Sequence, residues 1–364
     1  MSNIGPRDKS MEKNRRSETA TETLSNVSLR SEFDFIDHLR RRASVRKSSQ
    51  DLGIGIGDDA AILRHVSDRD TVVTSDLLIE DIDFHRQSTT PNLLGHKALA
   101  VSLSDIAAMG ARPRWTLSSI GVPIDVWNSP FVDEFYEGLM GLAERYDVGL
   151  IGGDVSRTPD KIVIDSIVLG ESQTGHGILR SGAKVGDRIF VSGSLGGAAA
   201  GLRLVERGAR LDKIVDDADQ HLVRELLFRH LSPQPRVGWG LVLGQERLAT
   251  AMIDISDGLS SDLHHLCKES NVGAIIRARN IPVDPLVTEI CGRRALDPLV
   301  LALHGGEDFE LLFTVSPENM SKLPTKVDGI AVTEIGEIRP ASESIRLSEG
   351  SRVWELKPEG WEHF

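Results

Sequence analysis

Acidic residues of this 364-residue chain gather at the ends of apolar runs, next to glycine. The segments are Gly57-Asp58-Asp59, Thr74-Ser75-Asp76, Ser104-Asp105, Gly152-Gly153-Asp154, Asp254-Ile255-Ser256-Asp257-Gly258 and Gly305-Gly306-Glu307-Asp308. A solvated face spreads its carboxylates among lysines, whereas these lack adjacent basic partners. Asp, Glu, Ser and Thr offer hard oxygen ligands, and no His/Cys cluster of ligand spacing accompanies them. Such a set selects magnesium or calcium over zinc or copper. No single loop carries the alternating ligands of a helix-loop-helix calcium site, so magnesium bridging carboxylates to substrate phosphates fits better. An acidic cleft repels an anionic nucleotide by about 1 kcal/mol per charge pair at 4 Å in water, and by about 4 kcal/mol at an effective dielectric of 20. Several divalent ions reverse that sign, which implies a multi-magnesium phosphoryl site.

Local patterns say how the acids are presented. On a helix over 94–109, Leu94, Ala98, Val101, Asp105 and Ala108 share one stripe, so the Asp105 carboxylate lies in or beside the apolar face. Burial there is costly unless a cation or donors compensate it, or a structural salt bridge with Lys97 or Arg112 forms. Over 251–259 a strand runs into a turn and a helix. Period two sets Asp254 and Ser256 on one face and Ile253 and Ile255 on the other. Asp257 or Ser260 is placed to cap that helix, a role that leaves Asp254 unexplained. Thr74 and Asp76 likewise share a strand face. The common nucleotide motifs are missing: there is no G-x-x-x-x-G-K-[ST], no H-R-D, and Gly53–Gly57 does not match G-x-G-x-x-G. The run 192–197 lies between a strand and a helix, where backbone amides could hold an anion or a tight turn could serve packing. Arg180 could clamp a phosphate.

Strands are expected over 71–74, 161–169, 188–191, 250–255 and 309–315. Helices are expected over 94–109, 130–146, 198–207, 220–231 and 260–269. The mixture indicates α/β or α+β architecture. The Gly/Arg-rich stretch 170–186 has boundary chemistry, giving two domains at 31–175 and 176–364. Residues 1–30, rich in Ser, Thr, Asn and mixed charge, read as a disordered tail. Trp115, Trp127, Trp239 and Trp354 read as core or interface packing. With 40% hydrophobic residues the chain can build real cores. Its 54 acidic against 42 basic residues, a net charge of −12, disfavour nucleic acid as a partner. Two cysteines, Cys267 and Cys291, make neither a disulfide framework nor a zinc cluster. No apolar run is long enough to span a bilayer. A cytoplasmic protein with no membrane partner is expected.

Eight segments in order carry a resemblance: GIGDDAAIL (55–63), TSDLLIEDIDF (74–84), KALAVSLSDIAAMGARP (97–113), LIGGDVSRTP (150–159), RSGAKVGD (180–187), IDISDGLSSDL (253–263), GGEDFELLF (305–313) and GWEHF (360–364). Together they resemble the thiamine-monophosphate kinase family, within the aminoimidazole-ribotide synthetase-like ATP enzymes. The resemblance implies transfer of the γ-phosphate of ATP to thiamine monophosphate by a homodimer with several Mg2+ ions. It also implies an N-terminal α/β domain that contributes strands to a dimer-interface barrel, and a C-terminal α+β domain. By the same resemblance, Asp59, Thr74, Ser75, Asp76, Asp105, Asp154, Asp254 and Asp257 would be metal ligands. Gly153, Asp154, Arg180 and Ser256 would contact ATP, and Glu307 and Trp361 would lie at the thiamine end. Asp76, Asp105, Asp154, Asp254 and Arg180 would carry catalysis. The chain departs from the family at Asp81-Ile82-Asp83-Phe84-His85, where Asp83 stands in the place of a substrate-side histidine. His85 lies one place beyond Phe84, and if this segment is a strand that one step faces the opposite side. The competing readings are a related ATP enzyme with another phosphate acceptor, and a nucleotide-binding scaffold without catalysis.

Overall fold

The structure is a computed structural model. It describes residues 52–54, 58, 61–64, 68–212, 220–294 and 296–361. The expected tail and Asp59 lie outside the described residues.

The first half builds a six-stranded sheet from β1 (Leu52–Ile54), β2 (Ala61–Arg64), β3 (Arg69–Ile79), β4 (Arg112–Val122), β5 (Gly149–Arg157) and β6 (Val163–Gln173), in the order β1-β2-β3-β6-β4-β5. Its helices are α1 (Pro91–Ala108), the single turn α2 (Ile124–Trp127) and α3 (Phe131–Arg145). The second half builds an eight-stranded sheet from β7 (Arg188–Ser192), β8 (Ala249–Asp254), β9 (Val272–Arg277), β10 (Leu311–Val315), β11 (Lys326–Val327), β12 (Ile330–Pro340), β13 (Ile345–Glu349) and β14 (Arg352–Glu355). The order is β14-β13-β9-β12-β7-β10-β8, with β11 on β12. Around it lie α4 (Gly197–Glu206), α5 (Gln220–Leu231), α6 (Val237–Gln245), α7 (Leu259–Ser270), α8 (Pro285–Arg294) and α9 (Pro298–His304). Among the described strands, only β4–β5 and β9–β13 pair in parallel. Antiparallel ladders dominate both sheets, and β4 and β5, joined through α2 and α3, make a βαβ crossover in the first.

Helix α1 organises the molecule. Pro91 occupies its first turn, and Thr90 caps it by accepting the Leu93 N–H at 3.3 Å. The expected single apolar stripe is too narrow a description. Every residue from Leu94 to Ala108 is buried except Asp105, which is half-buried. The six-stranded sheet covers one side of α1, and α3, α6 and β8 cover others. Helix α6 comes so close that a Cβ on Gly240 would stand 2.3 Å from the Ala107 carbonyl oxygen. Through this contact Trp239, Leu243, Met252, Leu311 and Phe313 join one core with the α1 side chains. Of the tryptophans expected to pack, Trp239 is 1% exposed, while Trp115, Trp127 and Trp354 are open to solvent. Among the described residues no helix is long and apolar enough to cross a membrane.

Candidate active site

One turn of α1 gathers acids from both halves of the chain. Ser102 and Asp105 lie three residues apart and face β3, while Ser104 turns towards β8. The Ser102 hydroxyl donates to Asp76 Oδ2 at 2.6 Å. The Thr74 hydroxyl donates to Asp105 Oδ2. The Ser104 hydroxyl donates to Asp254 Oδ2 at 2.6 Å, and Asp254 is 2% exposed at the end of β8. Asp76, Asp105 and Asp254 are thus tied to one turn of α1, each with one carboxylate oxygen fixed by a hydroxyl. Lys97 does not serve Asp105; it pairs with Glu307.

The loop after β8 is clamped from two sides. Ile255 N–H donates to Glu310 O at 2.7 Å, Glu307 N–H to Ser256 O at 2.7 Å, and Phe309 N–H to Ile255 O at 2.9 Å. Glu307 and Phe309 accept left-handed backbone, at φ 66° and 49°, to make this turn. On the other side Trp361 N–H donates to Asp257 O at 3.1 Å, and Gly360 N–H to Ser261 Oγ at 3.1 Å. The chain's last described residue therefore sits beside Asp257. The expected cap on α7 falls to neither Asp257 nor Ser260. Asp262 reaches back and accepts the N–H groups of Asp257 at 3.2 Å and Gly258 at 3.0 Å. Burial, then the neighbouring Asp257 and Asp254 carboxylates, push the Asp262 carboxyl well above the usual range, against Arg180 and the Gly258 N–H. Arg180 also donates its backbone N–H to Asp58 Oδ1 at 2.8 Å.

Other expected ligands stand apart from this group. Ser75 faces the other side of β3, as period two requires, and donates to Asp165 Oδ1 at 2.8 Å. Asp76 shares a cross-sheet row with Ser166, Ser118 and Gly153, so Asp154 on β5 lies one row over, opposite Ser119. Three strand spacings separate β3 from β5 backbones, about 14 Å. Asp154 is exposed. Gly153 meets a close approach of β4: a Cβ would lie 1.9 Å from Ser118 O. The backbone amides of the 192–197 run do not wait for a ligand. Asp308 accepts the N–H of Gly196 at 2.6 Å and of Ala198 at 3.1 Å, closing the start of α4. Burial pushes the Asp308 carboxyl up to about 7, with Glu310 and Asp284 adding to it against those two N–H groups.

Next to Glu307 lies a small cavity of about 60 Å³ whose lining includes Asp83, Phe84, His85, Lys97 and His230. Lys97 Nζ stands 2.6 Å from Glu307 Oε1, and His230 Nδ1 lies 2.7 Å from Glu307 Oε2. Burial would raise the Glu307 carboxyl, but Lys97 and His230 outweigh it and hold it at about 2. Nothing in the sequence flagged His230, which reaches the site from α5. The segment after β3 corrects the strand geometry assumed for it. β3 ends at Ile79, and residues 81–83 form a turn in which Asp83 Oδ2 accepts the Ile79 N–H at 2.7 Å. Without strand alternation, Asp83, Phe84 and His85 all line the cavity. His85 Nδ1 lies 3.2 Å from Asp81 Oδ1, and Lys161 pairs with the same carboxylate.

Hydroxyl oxygens hold Asp76, Asp105 and Asp254, and among the described residues no three His, Cys, Asp or Glu stand close enough to cage a metal by themselves. That suits magnesium, which takes one or two carboxylates and completes its shell with water and phosphate oxygens.

Residues 57–172 match AIR synthase related protein, N-terminal domain, and residues 184–347 match AIR synthase related protein, C-terminal domain. The thiamine-monophosphate kinase of Bacillus subtilis is 36% identical over 338 residues, covering 92% of this chain and 99% of that protein. Among solved structures, AaThiL complexed with AMPPCP and TMP aligns with a TM-score of 0.79 at 31% identity, covering 92% of this chain and 97% of that one. Thiamine-monophosphate kinase from Stenotrophomonas maltophilia aligns at 0.69 and 36% identity, covering 88% and 98%.

Proposed function

Because the chain belongs to the thiamine-monophosphate kinases of the AIR synthase related family, we propose that its clustered acids hold magnesium between ATP and a phosphorylated acceptor. The enzyme phosphorylates thiamine monophosphate with ATP, giving thiamine diphosphate and ADP. The acceptor oxygen is already anionic near neutral pH, so transfer needs no strong general base. It proceeds directly and in line, without a phosphoenzyme.

Asp76, Asp105, Asp254 and Asp257 are the metal ligands we propose first, with Thr74, Asp59 and Asp154 completing the set. Bound magnesium cancels charge on the approaching phosphates. The hydroxyls of Ser102, Thr74 and Ser104 set the direction of the carboxylates, which removes reorganisation from the reaction. Arg180 and the loop at Ser256 take phosphate oxygens, and the Gly153-Asp154 end of the site receives the far part of ATP. Asp83, Glu307 and Trp361 border the thiamine end. The observation that carries this reading is the joining of Asp76, Asp105 and Asp254 by one turn of α1.

We also propose a homodimer. Strand β5 is an edge strand exposed along its whole length, with Leu150, Ile151 and Val155 open, and Leu77 and Trp115 are open on neighbouring strands of the sheet. Pairing this face with a second copy would bury them in a shared barrel. The cytoplasm is the compartment we assign, where ATP is available and thiols such as the buried, unpaired Cys267 and Cys291 stay reduced. An ADP-release assay with thiamine monophosphate, unphosphorylated thiamine or no acceptor tests the reading. Release that requires the monophosphate supports it; equal release with unphosphorylated thiamine or with no acceptor defeats it.

A further inference from the structure

We infer a second anion site, for a diphosphate group, at the far end of the first sheet from Asp76. The starts of β3 and β4, the end of β6 and helix α6 enclose a cleft of about 340 Å³. Arg69, Arg112, Arg114, Ser172, His176 and Gln245 line it, with Glu171 as its single carboxylate. Arg69 opens β3, and Asp76 lies seven residues further on, about 23 Å away along the strand.

The charge in this cleft is out of balance. Glu171 Oε1 stands 3.3 Å from Arg114 Nε and 3.7 Å from Arg69 Nη1, so one carboxylate answers two guanidinium groups. Arg112 sits across from Glu171 in the β4–β6 register and adds a third. A net positive cleft is unexpected on a chain of net charge −12. Structural arginine clusters are ordinarily matched by carboxylates, whereas a surplus of planar guanidinium forks suits the oxygens of phosphate. The buried Ser172 hydroxyl, without a hydrogen-bond partner among the described residues, turns to the other face of the sheet from Glu171, as period two requires, so the guanidinium groups alone carry the site. The volume exceeds what one phosphate needs, which favours diphosphate. Both reaction products carry that group, so the cleft offers a route for a product to be sensed away from the acidic site.

The test uses the full chain in chelator, without magnesium, so that the acidic site repels the probe. Isothermal titration with inorganic pyrophosphate should show saturable binding at one site per chain. Arg69→Gln with Arg112→Gln should weaken it at least tenfold with an unchanged thermal midpoint. Asp76→Asn should leave it intact. Competition by ADP or by thiamine diphosphate identifies which product supplies the group, and failure of both assigns the free anion. Absence of saturable binding, binding indifferent to the arginine changes, or binding lost in Asp76→Asn overturns the site. None of these readouts depends on kinase activity.

Discussion

Ser104 on α1 donates its hydroxyl to the Asp254 carboxylate at 2.6 Å across 150 positions of sequence. The bond ties the first half of the chain to the strand end that carries the second half's acid. Asp254 is almost fully buried, so losing a donor there costs more than a surface hydrogen bond would. Ser104→Ala should lower stability by about 1–3 kcal/mol and reduce kcat more than KM, because the carboxylate loses its fixed direction. Denaturant midpoints and steady-state rates check this. A variant with native turnover would show that the tie does not serve the reaction.

Asp76→Asn keeps shape and one acceptor oxygen while removing a charge. It should abolish turnover and shift the thermal midpoint little. The loss should be partly relieved at high magnesium, where weaker ligation is compensated by mass action. Near-native turnover at low magnesium would remove Asp76 from the metal set.

Lys97 is 3% exposed and faces Glu307 at 2.6 Å. Lys97→Met leaves that carboxylate with His230 alone and should cost about 3–5 kcal/mol, whereas the double change with Glu307→Gln should cost less than the sum of the singles. The Glu307 carboxyl is held at about 2, below its ordinary 4.5. Its contribution is therefore complete above about pH 4.5 and is lost as pH falls towards 2. Acid unfolding of Glu307→Gln should be correspondingly less steep in that window. Additive single effects would separate the two residues.

Asp308 carries the opposite sign. Its carboxyl is pushed up to about 7 from an ordinary 3.8, so the folded chain holds a proton that the unfolded chain releases. Stability from this group falls as pH rises from about 4 through about 7. Asp308→Asn should flatten the decline in thermal midpoint across that range. An unchanged slope would mean that the carboxylate is ionised throughout, as a pure cap on α4.

Much of this architecture was legible because apolar periodicity is local. β3, β6, β7, β8 and helices α1, α3, α4, α5 and α7 follow from it. β4 and β5 were not legible. β4 carries Pro113 and turns Thr116 and Ser118 into the core, while β5 is an edge strand with every residue exposed, so neither shows the alternation of a half-buried strand. The acids themselves stood out through their neighbours in sequence, but their partners did not. Ser104 with Asp254, Lys97 with Glu307 and Asp308 with the start of α4 are all long-range pairings, and His230 carried no local mark at all. Phe84 and His85 were set on opposite sides for a different reason: a period-two argument fails once the strand has ended.

The central claim is that acids from both halves of the chain hold divalent ions between two anionic reactants. Formation of thiamine diphosphate from ATP and thiamine monophosphate, followed against free magnesium for the native chain, Asp76→Asn and Asp254→Asn, tests it most directly. The account predicts that native turnover keeps rising beyond the magnesium needed to saturate ATP, and that both variants lose turnover together despite native-like folding. Turnover that saturates with the ATP complex alone, or that survives either substitution, would contradict it.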